Sequence, residues 1–218
     1  MAGADARSRI SGAAGAIEVA AGGADSPRCV AVIAHPHPLY GGTMDNKVVT
    51  TLARAFAEAG AATLRFNFRG VGATEGVHDE GRGEADDMVR VAEHARESHP
   101  GLPLLLAGFS FGGAVAVRAS GRVDFAQLVL VAPGFRRISP EGMGAPPDPD
   151  DPALGAPGRH TGANTVVVHG DRDDTVPLAD SIAWATPREV PVVVVPGGEH
   201  FFHRKLHVLR EIVLRWSR

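Results

Sequence analysis

The sequence predicts an α/β domain with a mostly parallel sheet of about seven strands and helices on both faces. Three observations predict it. Strand-like and helix-like patterns alternate along the chain. The strand-length runs are apolar throughout rather than alternating, as in strands buried on both faces. One such run, residues 104–109, ends in Gly108-Phe109-Ser110-Phe111-Gly112, where small residues let the chain reverse sharply and hold one serine above the sheet edge.

Taken in order, residues 17–20 form a short edge strand, and residues 29–34 a stronger one that includes Cys29 and is rich in β-branched side chains. Residues 45–59 follow a helical repeat, with Asp45 as N-cap, Val48, Val49, Leu52, Phe56 and Ala59 on one face, and Gly60 as the stop. Residues 63–68 return to strand and lead into a glycine loop. A helix over 84–97 turns Met88, Val91, Ala92 and Ala95 to one side and ends at His99-Pro100-Gly101. After strand 104–109 and its serine turn comes a helix over 113–120. Strands follow at 128–132, 165–169 and 190–195. A last helix over 205–216 carries Leu206, Leu209, Val213 and Trp216 on one stripe.

At 218 residues and 44% hydrophobic composition the chain fits one domain spanning 1–218. A formal net charge of -3, without a block of Lys or Arg, gives no basic patch for nucleic acid or an anionic membrane surface. The first residues scatter Asp5, Arg7, Arg9 and Glu18 among Ala and Gly and lack the apolar core of a signal peptide. No later run approaches the roughly 20 apolar residues that span a bilayer. Cys29 is the single cysteine, so no internal disulfide can form, which fits a reducing cytoplasm. Residues 133–162 hold seven prolines and six glycines and are too poor in apolar residues for a second core; they read as an irregular excursion and, at most, a short flap.

In a parallel sheet the ligand sits beyond the carboxyl ends of the strands, so the loops there carry the chemistry. One holds Ser110. One holds Asp171, Asp173 and Asp174; one holds Glu199 and His200; and one is His35-Pro36-His37-Pro38-Leu39-Tyr40-Gly41-Gly42. A serine hydroxyl needs an imidazole to take its proton, and the imidazole works best when a carboxylate fixes its tautomer. In the aspartate loop the three carboxylates compete for that role, and His203 and His207 compete with His200 as base.

The strings HPHPLYGGTMDNKVV and RFNFRGVGATEG, with GFSFG, resemble those of small α/β-hydrolases of the dienelactone-hydrolase-like group, with minimal or no lid. The resemblance implies Ser110 as nucleophile, Asp173 as acid and His200 as base. It also implies an oxyanion hole built from the Phe111 N–H and an N–H of the HPHP loop. Pro36 and Pro38 have no N–H to give, so the second donor is His37, with Leu39 as the alternative. Dienelactone hydrolases proper carry a cysteine nucleophile, so their particular substrate is not expected here. The expected reaction is cleavage of a small or short-chain ester, or a related thioester or lactone, with no cofactor. Tyr40, Phe109, Phe111, Phe201 and Phe202 are candidates for an apolar pocket, with core packing as the alternative for each phenylalanine.

Two other motifs in the chain point elsewhere. Gly70-Val71-Gly72-Ala73-Thr74-Glu75-Gly76 follows a strand, but its third glycine falls one residue late for a dinucleotide fingerprint, so it reads as a crossover loop with Arg69 tying it down. The ten histidines, with His35-Pro36-His37 and the spacing of His200, His203 and His207, raise a metal-dependent hydrolase, but no carboxylate stands at a recognisable ligand spacing. A non-catalytic binding module would be expected to lack a triad member, and none is missing.

Overall fold

The structure, a computed structural model, describes residues 5–137 and 159–217. Its centre is an eight-stranded sheet in the order β1-β2-β4-β3-β5-β6-β7-β8. The strands are β1 (Ala6–Gly12), β2 (Gly15–Gly23), β3 (Cys29–Ala34), β4 (Ala61–Phe66), β5 (Leu104–Phe109), β6 (Gln127–Val131), β7 (Thr165–Gly170) and β8 (Val192–Val195). β1 and β2 form an antiparallel hairpin, and β2 joins β4 antiparallel. All pairings from β4 to β8 are parallel. The helices are α1 (Lys47–Glu58), α2 (Arg82–Ser98), α3 (Phe111–Ser120), α4 (Leu178–Ala185) and α5 (Leu206–Trp216).

Alternate residues of each central strand feed two cores, which is why those strands read as continuous apolar runs. Val30, Val32, Leu104, Leu106, Leu128 and Leu130 pack under α2 and α3 with Trp184 of α4. Ala31, Ile33, Leu105, Ala107, Val129 and Val131 pack under α1 and α5. Cys29 is buried in this second core, as its strand position implied.

The structure corrects the expected elements at several points. The sheet has eight strands rather than about seven, and residues 17–20 belong to the longer β2, which is not the edge. The edge is β1, whose ARSRISG is almost wholly exposed and carries no apolar face to reveal it. The short α4 is a further addition. Its buried side includes Asp180 and Ser181, bonded to Arg136 and His169, so it presents no apolar stripe in sequence. The α1 cap is Asn46, whose side chain accepts from Val48 N–H, while Asp45 pairs with Arg7 and Arg65. α2 begins two residues early because Glu84 is its third residue and accepts from Gly81 N–H.

The glycine loop is tied into the sheet. Gly70, Gly72 and Gly76 have positive φ. Arg69 makes a two-pronged pair with the buried Asp87 at 2.8 and 3.1 Å, and Glu75 accepts from Ala16 N–H. Of the 133–162 excursion, residues 138–158, where a flap would fall, lie outside the described residues. Its two described ends are anchored, Arg136 to Asp180 and Arg159 to the carbonyls of Ser120 and Val123.

Candidate active site

Ser110 occupies the single residue between β5 and α3, with φ 56° and ψ −122°. This left-handed region is uncommon for a residue with a Cβ, so the surroundings must enforce it. Ser110 N–H donates to Val131 O of β6, and Ser110 O accepts from Gly113 and Gly134 N–H. The flanking glycines are sterically required: a Cβ on Gly108 would stand 2.1 Å from Gly112 O, and one on Gly112 would stand 2.4 Å from His35 O. The backbone thereby fixes the hydroxyl at the carboxyl edge of the sheet.

Two more strand ends converge on it. The loop after β8 brings His200 Nε2 to 3.0 Å from Ser110 Oγ, and the loop after β7 brings Asp173 Oδ2 to 2.7 Å from His200 Nδ1. Since Nδ1 faces a carboxylate it carries the proton, which leaves the Nε2 lone pair for the serine hydroxyl. The other oxygen of Asp173 accepts from Thr175 and Val176 N–H at 2.9 and 2.8 Å. Burial alone would raise the Asp173 carboxyl, but bonds from His169, His200 and Val176 N–H outweigh it and hold the group well below the usual carboxylate range.

The competing residues are placed elsewhere. Asp171 accepts from Gly197 N–H, and Asp174 is exposed with Thr175 Oγ1 as partner. His203 is half-exposed beside Glu199, and His207 is exposed on α5. His35 is fully buried: its Nδ1 donates to Pro36 O at 2.6 Å and its Nε2 accepts from Phe68 N–H at 3.0 Å, so neither nitrogen is left for a metal. Burial lowers its pKa to about 4, against the bond to Pro36 O, which raises it. Among the described residues no group of three or more His, Cys, Asp or Glu is placed to hold a metal ion.

A cavity of about 360 Å³ opens over the serine, lined by Pro36, His37, Tyr40, Gly41, Gly42, Asn46, Ser110, Thr175, His200 and Phe201. Tyr40 and Phe201 are therefore in its wall. Phe109 and Phe202 are not: both are fully buried, Phe109 behind the His200 and Phe201 rings and Phe202 in the core under α1 and α5. Phe111 is likewise buried, its ring packed between His37 and Phe68. Sequence reasoning missed Asn46 and Thr175 in the lining, although a cap residue and a residue two places past Asp173 were available signals. It also gave no role to His169, which touches Asp173 from behind.

In the HPHP loop, Leu39 N–H donates to His37 Nδ1 at 3.3 Å, so the Leu39 donor is engaged within its own turn. Gly42 lets the loop fold back, since a Cβ there would meet Pro36 O at 2.1 Å. Phe111 is the first residue of α3, where N–H groups have no partner within the helix.

A family model described as serine aminopeptidase, S33, matches residues 26–147, more than half of the chain. The chain belongs to this S33 family of α/β serine hydrolases. The match takes in the serine turn and the HPHP loop, while Asp173 and His200 lie beyond it and enter through the geometry. The S33 chain is 36% identical to an α/β serine hydrolase homologue from Coxiella burnetii, with a TM-score of 0.80 over 96% of both chains. It is 35% identical to a lidless α/β serine hydrolase from Xanthomonas campestris, with a TM-score of 0.82 over 98% of this chain and 95% of that one. An uncharacterised protein of Rickettsia prowazekii is 30% identical over 207 residues, 90% of this chain and 82% of the relative.

Proposed function

We propose that this S33-family chain hydrolyses small carboxylic esters, or related thioesters or lactones, through a covalent acyl-enzyme. The observation that carries the reading is the continuous chain of contacts from Ser110 Oγ through His200 to Asp173, with Ser110 and His200 in the cavity lining. Ser110 Oγ attacks the carbonyl carbon while its proton passes to His200 Nε2, and the imidazolium is stabilised by Asp173. The oxyanion is received by the Phe111 N–H and the His37 N–H. His200 returns the proton to the departing alcohol, then takes one from a water that attacks the acyl-enzyme, and the acid leaves with Ser110 restored. No cofactor enters these steps.

The family's name raises aminopeptidase activity as the second reading. An aminopeptidase must receive a substrate ammonium, and among the described residues no Asp or Glu lines the cavity, which favours neutral or anionic acyl groups. A cavity of about 360 Å³ suits short acyl chains. The test is to treat the protein with a fluorophosphonate, locate the adduct by mass spectrometry and measure rates on p-nitrophenyl esters of increasing acyl length. The expected adduct is on Ser110, with rates highest for short chains. An adduct elsewhere, or a Ser110→Ala variant with undiminished rate, would sink the reading; faster release of aminoacyl amides than of esters would favour the peptidase.

A further inference from the structure

One cation beside the cavity wall, Lys47, has no assigned task. Lys47 opens α1, next to Asn46 of the cavity lining, and is half-buried. Its Nζ stands 6.0 Å from the centroid of the Phe201 ring, a wall of the cavity, and that ring is 5.1 Å from the His200 imidazole. The ammonium and the His200 imidazole thus both lie beside the Phe201 ring. Among the described residues no carboxylate lies within ion-pair distance of Nζ. The acidic groups around the site are engaged otherwise: Asp45 with Arg7 and Arg65, Asp173 with His200, Glu199 with His203, and Asp174 with the Thr175 hydroxyl. Among the described residues no acidic side chain lines the cavity to offset the charge.

We infer that Lys47 is a specificity residue that receives a carboxylate on the substrate, so that the preferred esters carry an anionic group close to the scissile bond. The simplest such compounds are hemiesters of short dicarboxylic acids. The inference rests on the serine-hydrolase reading and narrows its substrate class. The ammonium is held over an aromatic face without a carboxylate partner among the described residues, so a substrate carboxylate completes a pair that they leave open. An ion pair at a partly exposed rim contributes up to roughly fivefold in specificity and is screened by salt.

The experiment compares kcat/KM for p-nitrophenyl hemisuccinate and hemiglutarate with that for the neutral butyrate ester. A second arm uses 4-carboxyphenyl acetate against phenyl acetate, which places the carboxylate on the leaving group instead. The expected result is an anionic-to-neutral ratio above one in one arm. That ratio falls about fivefold in Lys47→Gln, is retained in Lys47→Arg, and shrinks as salt is raised. Ratios at or below one in both arms, or a ratio equal in the parent and Lys47→Gln, overturn the inference; with Ser110 still labelled and the butyrate still cleaved, the hydrolase reading stands. Absence of label and of all ester turnover overturns that reading and this inference with it.

Discussion

His169 Nε2 lies 3.3 Å from Asp173 Oδ2, and both side chains are fully shielded from solvent. Its other bonds fix its state. Nε2 also faces the Val176 carbonyl at 3.0 Å, so it carries the proton, and Nδ1 accepts from Ser181 Oγ at 2.8 Å. Asp173 is therefore held between a donor behind it and His200 in front. His169→Leu keeps the bulk and removes the donor. It should lower kcat about tenfold, the scale typical of outer-shell partners. A purely structural role would lower the melting temperature and leave kcat of the folded protein unchanged.

The two neighbouring aspartates should separate sharply. Asp173→Asn loses the charge that stabilises the imidazolium and can offer His200 the wrong tautomer partner, which costs about 10³–10⁴-fold in kcat. Asp171 spends Oδ1 on Gly197 N–H, bracing the loop that precedes His200 without touching the imidazole. Asp171→Asn should therefore stay within about tenfold of the parent. Equal losses from both, measured on one ester, would show that the acid has been misassigned.

The serine turn predicts a graded response to added methyl groups. A Cβ on Gly108 or Gly112 meets backbone atoms at 2.1 and 2.4 Å that cannot move without opening the turn. Gly108→Ala and Gly112→Ala should each lose about 3 kcal/mol or more in urea unfolding, or fail to accumulate. On Gly113 the nearest atom is Pro133 Cβ at 3.0 Å. There the crowding is offset by the better helix propensity of alanine, about 1 kcal/mol, so Gly113→Ala should be the mildest of the three.

These residues also show what could be read from sequence. The central strands were legible because burial on both faces leaves an unbroken apolar run, and Ser110, Asp173 and His200 because each follows such a run. The family motifs were needed to choose Asp173 over Asp171 and Asp174, since three carboxylates in one loop look alike until their partners are known. β1 was hidden because an exposed hairpin strand needs no apolar residues, and α4 because Asp180 and Ser181 are buried by pairing with Arg136 and His169 across the fold. Phe109 and Phe202 were open between pocket and core because a phenylalanine beside a catalytic loop suits either. His35 read as a possible metal ligand until Pro36 O and Phe68 N–H were seen to occupy both its nitrogens.

Two buried histidines set the response of the fold to acid. Burial lowers both His35 and His160 to about 4, opposed at His35 by the bond to Pro36 O and reinforced at His160 by Arg188 and Arg159. In the unfolded chain both would titrate near 6.5. Below that value the unfolded state binds protons that the folded state refuses, so their contribution is fully present above about pH 6.5 and is lost as pH falls toward 4. At pH 5 the loss is about 2 kcal/mol for each. Asp173, held low, keeps its own contribution through this window and yields it only below the ordinary carboxylate range. His160 gives the cleaner test. Its Nδ1 has no hydrogen-bond partner among the described residues, and its Nε2 meets Ser120 Oγ, which separately donates to Val117 O. His160→Leu therefore removes one titration without orphaning Ser120. The urea midpoint should fall between pH 7 and pH 5 in the parent and fall about half as far in His160→Leu; a parent midpoint that does not move would show that neither histidine is held neutral by the fold.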